Sequence, residues 1–134
     1  MDLEVIKIAE NTTNYKHIKN HSHKYKHKNT ICGDEIEITL KIIDRKIIDF
    51  GYQTKSCIYC QASASLLSRI SKNKKIYEVN KFLKIANDLF QDEHESTPKY
   101  WKSFNSIFKK DNFQRKDCLL LPVNALKKII NRYD

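Results

Sequence analysis

Residues 35–52 read EIEITLKIIDRKIIDFGY, and their period decides the architecture. Ile36, Ile38, Leu40 and Ile42 alternate with Glu35, Glu37, Thr39 and Lys41. After a turn at Asp44-Arg45, a second alternation brings Ile48, Phe50 and Tyr52 to one side. Successive side chains of a strand point to opposite faces, so this is a β-hairpin with one apolar and one wet face. Past Cys57 the spacing becomes helical. Ser63, Leu66, Leu67 and Ile70 make a short stripe, and Ile76, Val79, Phe82, Leu83, Ala86, Leu89 and Phe90 a longer one. Ser96-Thr97-Pro98 is a helix start with Pro at the first helical position; Trp101, Phe104, Ile107 and Phe108 follow at helical spacing. The last stripe is Leu119, Val123, Leu126, Ile129 and Ile130, and Leu3 to Ala9 predict a short leading helix. Strands first and helices afterwards predict an α+β domain, a small antiparallel sheet with helices packed on one face. Each helix is expected to offer one face to a shared core.

At 134 residues the chain has the length of one domain, residues 1–134. A hydrophobic content of 40% excludes wholesale disorder, and only two Gly and two Pro argue against a turn-dense all-β chain. The longest apolar run is Leu119–Val123, far short of a membrane span. Asp2 and Glu4 stand where a signal peptide would be basic, so a soluble cytoplasmic protein with reduced cysteines is expected. The net charge is +9, yet 21 of the 25 basic residues are Lys and they are spread along the chain. Residues 31–60, which hold three of the four cysteines, carry a slight negative charge. That distribution leaves nucleic acid a partner the pattern does not demand, and no membrane partner is expected.

The chemistry lies in three short segments. Cys32-Gly33-Asp34 precedes the hairpin, and Gly33 lets the backbone turn so that a thiolate and a carboxylate point at one spot. Cys57-Ile-Tyr-Cys60 stands where a strand ends and a helix begins. Arg115-Lys116-Asp117-Cys118 opens the last helix. Exposed N–H groups and the positive dipole end at a helix start favour a thiolate. Three Cys and one Asp at the ends of three elements suit a tetrahedral zinc site or a cluster. Free cysteines are also often plain buried hydrophobes, so spacing alone leaves both readings open.

The segments NTICGDEIEITLKI (29–42), CIYCQASASLL (57–67) and RKDCLLLPVNAL (115–126) together resemble the IscU/SufU/NifU N-terminal family of iron–sulfur cluster assembly proteins. The resemblance runs from the leading helix to the final one. It implies a three-stranded antiparallel sheet with helices on one face, the SufE/NifU-like, IscU-like fold. It also implies that Cys32, Asp34, Cys57 and Cys118 hold Zn²⁺, Fe²⁺ or a nascent [2Fe–2S] cluster. Two departures point to the SufU branch. Asp117 stands where the IscU branch has His directly before the last Cys, and no Leu-Pro-Pro-Val-Lys chaperone signal precedes Cys118. Cys57 and Cys118 are 61 residues apart, and the extra length holds the expected Trp101–Phe108 helix, as in SufU-type chains. The implied partners are a cysteine desulfurase of the SufS/IscS/NifS type and downstream cluster carriers or apo-proteins. The implied role is scaffold or sulfur carrier rather than free-standing enzyme, with Cys32 and Cys118 as persulfide acceptors.

Cys60 stands where the family usually has Ser or another small residue. It is an alternate ligand, a relay or a redox partner of Cys57, or simply a tolerated small side chain. Arg115 is a candidate electrostatic aid, because a cation beside Cys118 favours its thiolate. His17, His21, His23 and His27 interleave with lysines in a polar stretch that reads as a solvated loop or a lysine-guarded edge strand. Ser63 and Ser65 lack a His and carboxylate partner and are not nucleophiles; they are expected to help start a helix packed close to the sheet. The competing classes are a structural zinc-binding interaction module, with nucleic acid as one partner it could take, and, behind it, a thiol–disulfide enzyme using Cys57 and Cys60.

Overall fold

The hairpin closes on Asp44 and Arg45, both left-handed at φ 53° and 61°, the two-residue turn whose twist matches that of its strands. The computed structural model describes residues 3–30, 33–90 and 99–133. Strand β1 is His23–Lys28, β2 is Glu35–Ile43 and β3 is Lys46–Lys55, in the antiparallel order β1-β2-β3. Ile36, Ile38, Leu40 and Ile42 all face the core from β2. On β3 the alternation is interrupted. Lys41 pairs with Asp49 but Ile42 with Ile47, so Ile48 is the extra residue of a β-bulge. The bulge turns Ile47 inward and leaves Ile48 37% exposed, which corrects the expected inward Ile48. A bulge shifts the period by one, and one step flips every side chain upstream of it.

β1 is an edge strand, with Lys24, Lys26 and Lys28 in solvent and His23, Tyr25 and His27 half-buried. Exposed lysines keep such an edge from pairing with another chain. His21 precedes the strand and lies edge-on to His17, ring centroids 5.5 Å apart.

The wet face of the sheet is crossed by the chain itself. The Tyr52 amide donates to the Asn14 carbonyl (3.1 Å), and the Lys16 amide to the Tyr52 carbonyl (3.0 Å). The Ile18 amide then donates to Thr39 Oγ1 (3.1 Å), and the Ser22 amide reaches the Leu40 carbonyl (2.8 Å) on the far side of β2. Gly51 makes the crossing feasible: a Cβ there would stand 2.6 Å from the Lys16 carbonyl and 2.9 Å from Thr39 Oγ1.

The helices cover the other face. They are α1 (Leu3–Ala9), α2 (Ile58–Ser71), α3 (Ile76–Ile85) and α4 (Lys116–Tyr133). α4 packs on β1 and β2, and α2 packs on β3, α1 and α4. α2 is therefore enclosed on several sides rather than one. Its Ala62, Ser63, Ala64, Ser65 and Ser68 are all buried, and such small side chains let neighbouring backbones approach. Ser63 Oγ donates to the Leu119 carbonyl of α4, and Ser65 Oγ to the Asn11 carbonyl after α1, each at 2.6 Å. These serines tie helices together; neither starts the helix as expected.

The α3 stripe continues as a 3₁₀ turn over Ala86–Phe90, and the Trp101 segment is also 3₁₀, Lys99–Ser106, not the expected α-helix. Trp101, Phe104 and Ile107 recur every third residue, which is the 3₁₀ period. They meet an aromatic layer: Phe82 stacks on Trp101 at 4.4 Å and lies 4.5 Å from Phe104, and Phe90 stacks on Phe108 at 4.9 Å. The predicted start at Ser96-Thr97-Pro98 lies outside the described residues.

Candidate metal centre

Three chain segments end at the same edge of the fold. Register places Glu35, the first residue of β2, opposite Lys55, the last of β3. The β1–β2 connection and the entry to α2 therefore share one end of the sheet. In that connection the Gly33 amide donates to the Asn29 carbonyl and the Asn29 amide to the Asp34 carbonyl, both at 2.8 Å. Gly33 sits at φ +79°, where a side chain would be strained. This closed turn delivers Asp34.

Cys57 is the N-cap of α2, in extended backbone, with its carbonyl accepting from the Gln61 amide at 3.2 Å. Its side chain makes no capping hydrogen bond. Cys118 is in the first turn of α4, directly before Leu119, whose carbonyl Ser63 holds against α2. The two cysteine-bearing helices are thus pinned to each other one residue from Cys118. Pro122, inside α4, lacks the N–H that an uninterrupted helix would turn toward the Cys118 carbonyl.

One ligand atom each from Asp34, Cys57 and Cys118 falls within 4.8 Å of the others, and all three residues are half-buried. Asp34 Oδ2 is buried with no hydrogen-bond partner among the described residues. An unpaired buried carboxylate oxygen is costly unless a cation takes it up. These three residues would supply three of the sulfur and oxygen donors that a bound zinc or iron ion takes. Two soft donors and one hard one suit zinc or ferrous iron. Cys32, the fourth expected ligand and a candidate persulfide acceptor, lies outside the described residues.

Cys60 is not one of the converging groups. Its side chain is fully buried and its sulfur lies 3.9 Å from Thr54 Oγ1. Burial pushes its thiol up to about 12, and the charges at Asp34 and Cys57 act in the same direction against hydrogen bonds from Ser56 and Thr54. Arg115 is exposed, and its guanidinium lies over the Tyr59 ring, 5.3 Å from the centroid. That cation–π contact joins the residue before α4 to the first turn of α2, and so spans the two cysteine helices. Tyr59 was not singled out from the sequence; an aromatic between two cysteines at a helix start is a signal only once Arg115 is known to face it.

The histidines stand apart from this centre. His17 Nδ1 is 2.7 Å from Glu37 Oε1 on the wet face. His27 lies within the electrostatic reach of Lys128 on α4, and Arg132 of the same helix covers the Tyr25 ring at 5.0 Å.

Comparison with known proteins gives a consistent picture. The family model described as the NifU-like N-terminal domain matches residues 2–134. The "Iron-sulfur cluster assembly scaffold protein IscU 1" of Archaeoglobus fulgidus is 30% identical over 105 residues, 78% of this chain and 58% of that protein. This chain therefore spans less than two thirds of that relative's length. Among solved structures, a NifU-like N-terminal protein from Brucella abortus superposes with a TM-score of 0.82 at 19% identity, covering 96% of this chain and 90% of its own. A putative scaffold protein for the SUF system from Fervidobacterium islandicum superposes with a TM-score of 0.81 at 21% identity, covering 95% and 93%. These likenesses establish the fold expected from the sequence.

Proposed function

The chain belongs to the NifU-like N-terminal domain family, and from that premise we propose that it serves iron–sulfur cluster assembly. In this reading it receives sulfur from a cysteine desulfurase and holds zinc or a nascent [2Fe–2S] cluster as cargo at Cys32, Asp34, Cys57 and Cys118. The observation that carries it is the convergence of Cys57 and Cys118 on a carboxylate whose buried oxygen has no hydrogen-bond partner among the described residues. The zinc-bound sulfur acceptor is the form we place first.

The residues divide the work by their chemistry. A thiolate at Cys118 or Cys32 attacks the outer sulfur of the desulfurase persulfide. The persulfide S–S bond breaks, the desulfurase cysteine leaves as thiolate, and the sulfane sulfur is now carried on this chain. Arg115, seated on Tyr59, places a positive charge at the start of α4, three residues before Cys118. Asp34 sets the lability of the site, because a hard oxygen is held less firmly than a thiolate by a soft cargo.

Two measurements test the reading. Zinc, iron and labile sulfide are assayed in protein purified anaerobically. About one zinc per chain supports the zinc-bound acceptor, and equal iron and sulfide support a scaffold carrying its product. A folded chain with none of these returns the cysteines to a structural role. Asp34→Ala is then loaded with [2Fe–2S] and transfer to chelator followed by absorbance. Slower release than wild type is expected; faster release rejects this role for Asp34.

A further inference from the structure

Cys57 and Cys60 stand in a relation that the four-donor reading does not use. Cys57 caps α2 and Cys60 is in its first turn. The Cα–Cα distance of residues three apart is set by the dihedrals of the two between them, here Ile58 and Tyr59, both helical. Helix geometry therefore places these Cα atoms about 5 Å apart, within the roughly 4.4–6.8 Å that a disulfide bridges. Cys57 is half-buried, among the converging donors; Cys60, three residues on, is fully buried and within the electrostatic reach of Cys57. One sulfur is partly exposed and the other is buried in the next turn, a division that suits an attacking and a resolving thiol.

Sulfur that arrives as persulfide is two electrons short of the sulfide that bridges iron. We propose that Cys60 supplies this reduction, converting a persulfide on Cys57 into free hydrosulfide and a Cys57–Cys60 disulfide. The proposal deepens the sulfur-acceptor reading above and rests on it. In the first step the Cys57 thiolate attacks the outer sulfur of a persulfide on Cys118, and the Cys118 thiolate leaves. The two side chains already lie within 4.8 Å. In the second step Cys60 sulfur attacks Cys57 Sγ. The bond from Cys57 to the outer sulfur breaks, and that sulfur departs with the electron pair and takes up the Cys60 proton. The sulfane sulfur gains two electrons and the two cysteine sulfurs lose one each. A dithiol reductant returns the pair to thiols for another cycle. Thr54, beside the Cys60 sulfur and 2.8 Å from Ser56 Oγ, offers a hydroxyl to the thiol while it is at rest.

The experiment uses the full chain with glutathione persulfide as donor, anaerobically and without added reductant. Released sulfide is measured, and each cysteine's state is mapped by mass spectrometry after alkylation. Wild type is expected to release about one sulfide per chain and to end with Cys57 joined to Cys60. Cys60→Ser and Cys60→Ala, with far-UV circular dichroism matching wild type, are expected to retain the persulfide and release at least about tenfold less sulfide. Wild-type sulfide release by Cys60→Ser, or a wild-type disulfide between other cysteines, overturns the proposal. If the folded variants take up no sulfur at any cysteine, the sulfur-acceptor reading falls and this proposal falls with it.

Discussion

Asp34→Ala should make the metal-free protein more stable. Asp34 Oδ2 is buried and has no hydrogen-bond partner among the described residues. A buried acceptor without a partner costs about 1–3 kcal/mol. Because the residue as a whole is half-buried, the lower part of that range applies, about 1 kcal/mol. The alanine keeps Cβ and the backbone, so the turn closed by Asn29 and Gly33 is left intact. For a chain of 134 residues unfolding entropy scales to about 3.5 °C in Tm per kcal/mol. A rise of roughly 3–4 °C is expected in protein stripped with chelator, read by circular dichroism melts and by urea titration at unchanged m-value. Asp34→Asn is the control, since an amide placed in the same slot still leaves a polar group without a partner and should bring no gain. Equal or lower stability of chelated Asp34→Ala would refute the claim that the carboxylate is held at a cost for a cation's sake.

Gly51→Ala pushes a methyl into the Lys16 carbonyl and should cost about 1–3 kcal/mol, with faster amide exchange at Lys16 and Ile18. Unchanged exchange there would show that the crossing segment is not seated on Gly51. Burial holds the His27 pKa below its usual 6.5, and Lys128 adds to this. The unfolded chain therefore binds that proton more readily. The His27 contribution is complete above pH 6.5 and declines as pH falls toward the lower folded value; His27→Gln should flatten that part of a stability–pH curve. Burial of Asp49 works to raise its pKa, but hydrogen bonds from Lys16, the Phe50 amide and Lys72, with the Lys16 charge, lower it below 3.8. Its contribution is present above pH 3.8 and fades as pH drops toward the folded value, so Asp49→Asn should remove that acid limb from a stability–pH titration.

The hairpin was legible because alternation is a local property of a strand, and the helix starts because a change of period marks them. That put Cys57 and Cys118 at helix N-termini before any coordinates. The bulge at Ile48 was not legible: both Ile47 and Ile48 are apolar, and only pairing decides which points inward. Nor was the nature of the Trp101 segment, since a repeat of three fits a 3₁₀ turn and one edge of an α-helix equally. The crossing from Asn14 to Ser22 has no period at all; it is held by backbone groups, by the Thr39 hydroxyl and by the absence of a side chain at Gly51. At the centre, spacing supplied the donor types, and the family resemblance supplied their assembly. What neither supplied is that Asp34 Oδ2 is buried without a hydrogen-bond partner among the described residues, which depends on how neighbouring atoms exclude water.

The candidate donors come from places far apart along the chain: the end of a hairpin turn, the cap of α2 and the first turn of α4. Cargo bound there, as the proposed function has it, would be a removable cross-link. Tying Cys57 to Cys118 closes a loop of 61 residues, which for a permanent link would restrict the unfolded chain by on the order of 4 kcal/mol. Under the proposed function, each act of delivery would unfasten the protein that delivers, and the empty carrier would differ from the loaded one in rigidity as well as content. A partner that binds only the fastened form, or only the loosened one, can tell full from empty without touching the cargo.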